Sequence, residues 1–92
     1  MALTGDRYVG SYEGHTIELI RNNWVKTLSL WIDGRKVARA SCMLPWRIAL
    51  TGTLVHDGVP HAVVARSVPR RLLWATDTVE VDGNTLSLTT TE

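Results

Sequence analysis

Phenylalanine is absent from this 92-residue chain, cysteine occurs once, and proline three times. A lone Cys42 cannot close an internal disulfide, and it excludes zinc sites built from several thiolates. Packing must therefore hold the fold. No stretch approaches the ~20 apolar residues of a membrane span, and Met1 to Gly10 lacks the apolar core of a signal peptide. The expected address is the cytoplasm, with no membrane among the partners. Also missing is the high-charge, low-hydrophobicity profile of disorder: 45% of residues are hydrophobic, 21% are charged, and the net charge is +1. A chain of this length supports one core, so a single domain over 1–92 is expected, frayed near 1–6 and 90–92. No segment shows a sustained helical period bounded by an N-cap and a C-cap.

What the chain does contain is a recurring acidic-Gly punctuation between runs rich in Val, Ile, Leu, Trp and Thr: Glu13-Gly14, Asp33-Gly34, Asp57-Gly58 and Asp82-Gly83. Asp-Gly suits two-residue type I′ turns, whose two central residues both need positive φ; Glu suits them less well. The flanking runs alternate with period two. Leu28, Leu30 and Ile32 share one parity with Trp24, and Ile48, Leu50 and Leu54 share one with Trp46. A two-residue turn at Asp33-Gly34 sets Leu30 opposite Val37 and Ser29 opposite Ala38. The same geometry at Asp82-Gly83 sets Val79 opposite Leu86 and Glu80 opposite Thr85. Gly52 signals a bulge or a close approach. The run 59–68 offers two competing faces. The expectation is all-β: a small antiparallel β-sandwich of seven or eight strands built from consecutive hairpins. Its core draws on Ile17, Leu19, Trp24, Leu28, Leu30, Val37, Ile48, Leu50, Leu54, Val63, Val79, Val81, Leu86 and Leu88.

The order of these landmarks resembles the β-sandwich domain of the Fas apoptotic inhibitory molecule (FAIM) family. Gly14-His15-Thr16-Ile17-Glu18-Leu19 is similar to that family's Gly-x-His-x-Ile-Glu-Phe strand, and Leu30 to Lys36 to its aromatic-Val-Asp-Gly-Lys hairpin. Trp46 to Gly52 resembles its Trp-x-Phe-x-Leu-x-Gly strand, and Thr78 to Gly83 its Thr-Leu-Glu-Ile-Asn-Gly turn. The chain departs from the pattern at Asn22-Asn23 and over Val59 to Arg71. The resemblance implies an eight-stranded sandwich that works through protein contacts, with no catalytic motif to transfer.

Candidate chemistry is sparse. His15, His56, His61 and Cys42 are the good transition-metal ligands apart from carboxylates, yet none forms a short Cys-x-x-Cys or His-x-x-x-His pair, so no metal site is expected. Cys42 has no charged immediate neighbour to lower its pKa and reads as an inert thiol. Asp33, Asp57 and Asp82 are accounted for as turn formers. No catalytic residue and no cofactor site is assigned. The distribution of charge says more: nine of the ten basic residues lie between 21 and 71, against only Asp33 and Asp57. Arg66, Arg70 and Arg71 form one group, and Arg35, Lys36 and Arg39 another. Such groups could draw phosphates or an acidic protein. The plainer account is that strands interleave in the sheet so that opposite charges mingle. Trp31 and Trp74 fall on the parity opposite their strands' apolar rows and are the surface candidates. Two readings follow. One is a non-enzymatic protein-interaction module with a surface at Trp31, Trp74, Arg66, Arg70 and Arg71. The alternative is a weak nucleic-acid binder using the basic 21–71 region.

Overall fold

The structure, a computed structural model, describes residues 5–22, 25–41, 47–70 and 74–91. Trp24, Cys42, Trp46 and Arg71 lie outside the described residues, as do the side chains of Arg70 and Trp74. Four hairpins form in chain order: β1 (Gly5–Tyr12) with β2 (His15–Asn22), β3 (Thr27–Ile32) with β4 (Arg35–Ser41), β5 (Ile48–His56) with β6 (Val59–Arg70), and β7 (Trp74–Val81) with β8 (Asn84–Thr85). A short β9 (Thr89–Thr91) follows. No helix occurs among the described residues. All four acidic-Gly pairs take positive φ at both positions, Glu13 included, the conformation a type I′ turn requires.

β1 to β4 form one antiparallel meander and β5 to β8 a second, giving sheet orders β4-β3-β2-β1-β9 and β5-β6-β7-β8. The sheets stack as a sandwich. Ile17, Leu19, Leu28, Leu30 and Ile32 from the first meet Leu50, Leu54, Val63, Ala65, Val79 and Val81 from the second in one buried cluster. Ile48, Leu86 and Leu88 pack at its margin. In the run 59–68 the odd positions win: Val63, Ala65 and Ser67 are buried, whereas Ala62 and Arg66 are exposed.

One core expectation fails. Val37 is 38% exposed, because the β3–β4 register shifts between Leu30 and Trp31. Leu30 therefore faces Ala38, and Ser29 faces Arg39. The extra residue of this bulge is Val37, which leaves the ladder and covers Gly52. A Cβ on Gly52 would lie 2.9 Å from Val37 Cγ2, so Gly52 marks a close approach of β4 to β5, and the β5–β6 register runs unbroken past it. At the last turn Glu80 faces Thr85, and the Leu86 N–H donates to Val79 C=O at 2.8 Å, as the turn geometry predicts.

Candidate functional site

The two meanders carry the same clasp at the end of the sandwich where the acidic-Gly turns lie. In the first, Ile17 pairs with Ile32, which places Asp33 beside Thr16. The Asp33 N–H donates to Thr16 C=O at 2.8 Å, and the Thr16 N–H donates back to Asp33 Oδ1 at 2.9 Å. His15 Nδ1 donates to the remaining oxygen, Oδ2, at 2.7 Å. In the second, Val63 pairs with Val81, and Asp82 stands beside Ala62. Its N–H donates to Ala62 C=O at 2.9 Å, its Oδ1 accepts the Ala62 N–H at 3.0 Å, and its Oδ2 accepts from His61 Nδ1 at 2.5 Å. Both carboxyl groups are held below the ordinary carboxylate value, by the histidine hydrogen bond first and the backbone N–H second.

The clasps fix the ring orientations. His15 Nδ1 is committed to Asp33, and its Nε2 lies 3.3 Å from His56 Nδ1, within hydrogen-bond reach. The two rings meet edge to face at 5.3 Å between centroids. His56 Nε2 then turns to Asp57 at 3.3 Å and Glu13 at 3.7 Å. A chain of groups runs Asp33, His15, His56, Asp57 from one sheet to the other. His61 is flanked instead by the Tyr12 ring at 5.2 Å. An aspartate-oriented histidine is one part of a nucleophilic triad; here the second ring nitrogen of His15 faces another imidazole, that of His56 on the opposing sheet. Among the described residues no group of three or more His, Cys, Asp or Glu is placed to hold a metal. Beside this chain, a cleft of about 350 Å³ opens between β4 and β5, lined by His15, Asp33, Arg35, Val37, Thr53 and Val55. The sequence reading missed the His15–His56 contact, since alternation within a strand carries no information about which turns of the opposite sheet lie near.

A second unread feature lies inside the sandwich. Arg21 continues the inward row of Ile17 and Leu19, and its Nη2 donates to Asp77 Oδ1 at 2.7 Å and to Ser67 Oγ at 2.9 Å. The Asp77 side chain is 2% exposed. Parity held the signal: Asp77 shares the row of Val79 and Val81, so one more step of alternation on each strand brings opposite charges inside.

The outer face of the five-stranded sheet holds Trp31. Register aligns Val9, Glu18, Trp31 and Lys36 across four strands. The Lys36 ammonium stands 5.5 Å from the Trp31 ring centroid, a cation–π distance, and Trp31 Nε1 donates to Ser29 Oγ at 2.9 Å. Arg7 pairs with Glu18 in the same row. Arg66 lies on the outer face of the other sheet and pairs with Glu80 at 2.6 Å. The backbones of Arg70 and Trp74 are paired with each other on that sheet. Trp31 and Arg66 are thus on opposite sides of the sandwich. Among the described residues, the basic side chains of 21–71 are distributed over the interior at Arg21, both outer faces and the β4 edge.

No family model, no curated protein and no solved structure matches the chain.

Proposed function

We propose that this chain is a non-enzymatic protein-interaction module whose partner docks on the outer face of the five-stranded sheet, around Trp31. The observation that carries the reading is the Val9–Glu18–Trp31–Lys36 row, in which a half-buried indole sits on the outer face of four paired strands with a cation over its ring. Aromatic anchors with adjoining cations dominate the energetics of many protein interfaces. Lys36 and Arg39, on the edge strand beside the indole, favour a partner that offers acidic and apolar side chains together. The FAIM-type resemblance of the hairpins implies the same class of activity. The pairing of Arg7, Arg21 and Arg66 with Glu18, Asp77 and Glu80 weighs against a phosphate-binding track, since those guanidinium groups are already engaged.

The test is an NMR titration of labelled chain with mixed oligonucleotides at low and physiological salt, alongside affinity capture with wild type and Trp31→Ala. Retention of partners by wild type and their loss in Trp31→Ala, at physiological salt, supports the module. Oligonucleotide-induced shifts along Arg35, Lys36, Arg39 and Arg66 that vanish with salt would transfer the assignment to nucleic-acid binding.

A further inference from the structure

An unpaired sheet edge is a template for another strand, and proteins blunt such edges with charge, bulges or brevity. Among the described residues, three of the four sheet edges are blunted. β4 carries Arg35, Lys36 and Arg39 and is bulged against β3; β8 has two residues and β9 three. The fourth edge, β5, has nine residues, Ile-Ala-Leu-Thr-Gly-Thr-Leu-Val-His, with no Lys, Arg, Asp, Glu or Pro. It pairs with β6 alone among the described residues.

We propose that β5 pairs antiparallel with β5 of a second copy of this chain, around a two-fold axis at Gly52, joining two four-stranded sheets into one. The choice of partner comes from the strand itself. Leu50-Thr51-Gly52-Thr53-Leu54 reads identically in both directions, and an antiparallel homodimeric ladder requires such a self-complementary surface. The hydrogen-bond phase agrees. The two-residue turn at Asp57-Gly58 makes His56 and Val59 the closing, hydrogen-bonded pair. Counting back by twos, Leu54, Gly52, Leu50 and Ile48 bond to β6, and Ala49, Thr51, Thr53 and Val55 turn their N–H and C=O groups to the free edge. Centring on Gly52 sets Thr51 against Thr53 and Ala49 against Val55, so every one of those groups finds a partner.

The side chains agree as well. On the outer face, exposed Thr51 and Thr53 form hydroxyl pairs, and Val55, 58% exposed in the single chain, gains an apolar neighbour. On the inner face Leu50 meets Leu54 and extends the core across the axis. Half-buried Ile48 of the second copy comes opposite His56, beside the cleft lined by His15, Thr53 and Val55. Val37, exposed by the β4 bulge and seated over Gly52, lies next to the axis in both copies. The basic β4 edges approach each other in the same arrangement, so association strengthens as salt screens them. The β5 ladder uses none of the Val9–Glu18–Trp31–Lys36 row, and either assignment can fail without the other.

Analytical ultracentrifugation over a concentration series is the direct measurement. Wild type is expected to move from the 10.2 kDa chain to twice that mass, more readily at higher salt. Two variants test the register: Thr51→Lys with Thr53→Lys, and Thr51→Glu with Thr53→Glu. Each places like charges opposite one another across the axis and is expected to sediment as a monomer with an unchanged β-sheet circular dichroism spectrum. Mixing the two variants restores the double mass, because the axis now sets lysine against glutamate. A wild type that stays monomeric to millimolar concentration overturns the proposal. So does a dimer that persists in both variants alone, and so does a mixture that fails to recombine.

Discussion

Asp77 and Arg21 show what a single buried charge demands. Removing either carboxylate or guanidinium leaves the other ionised inside the sandwich, a loss of about 3–5 kcal/mol in comparable buried pairs. Replacing both with apolar side chains of similar size removes the need for a partner and is close to neutral. Asp77→Ala is therefore expected to lower stability by several kcal/mol, a large share of the total for so small a fold. Arg21→Met with Asp77→Leu is expected to recover most of it. Urea unfolding followed by tryptophan fluorescence gives both midpoints. Equal midpoints for Asp77→Ala and wild type would show that the pair is open to water. The pair was legible in parity but not in composition: Arg21 stands in a segment whose other described basic side chains, from Lys26 to Arg66, are exposed, and only its phase with Ile17 and Leu19 marks it as internal.

At the scale of the strand and its turn, the clasp of Asp33 on His15-Thr16 and of Asp82 on His61-Ala62 sets a pH dependence. Both carboxyl groups are depressed in the folded chain. Their contribution is fully present above the ordinary carboxylate value of 3.8 and disappears as the pH falls through the lower folded-state values, where protonation removes the acceptor. Asp33→Asn with Asp82→Asn keeps an oxygen for the backbone N–H but removes the titrating group. Its unfolding midpoint is expected to fall less than that of wild type between pH 4 and pH 2, on the order of the carboxylate range. Parallel curves would show that the clasps carry no acid sensitivity. The hairpins themselves were readable because Asp-Gly with two positive φ values has few alternatives. Register within them was less so. A turn fixes the first pairs, Ile32 with Arg35 and Trp31 with Lys36, and then the bulge breaks the count before Leu30. Its cause is tertiary: Val37 fills the space that Gly52 leaves on the opposing sheet, a contact between segments that no local pattern connects.

Across the whole molecule, almost every ladder joins strands consecutive in the chain, a pattern of short sequence separations that favours rapid folding for an all-β protein. Sequence alternation therefore went far toward the two meanders, whereas the stacking of one on the other rests on side chains that become neighbours only once both have formed. The exception among the ladders is β1 with β9, where Arg7, Tyr8 and Val9 meet Thr91, Thr90 and Thr89. Three residue pairs there must offset the closure of a loop spanning most of the chain, while β1 and β2 share eight pairs across a two-residue turn. Amide exchange at Thr89 to Thr91 is expected to be about 100-fold faster or more than at Leu19 and Leu30, as local opening outruns global unfolding. Uniform protection across all of these amides would mean that the sandwich opens as one unit. A strand held this lightly is also exchangeable. When β9 lifts away, the outer edge of β1 from Arg7 to Val9 is bared while the rest of the sandwich stays closed, and the tether that keeps β9 at high effective concentration is what returns it to its place.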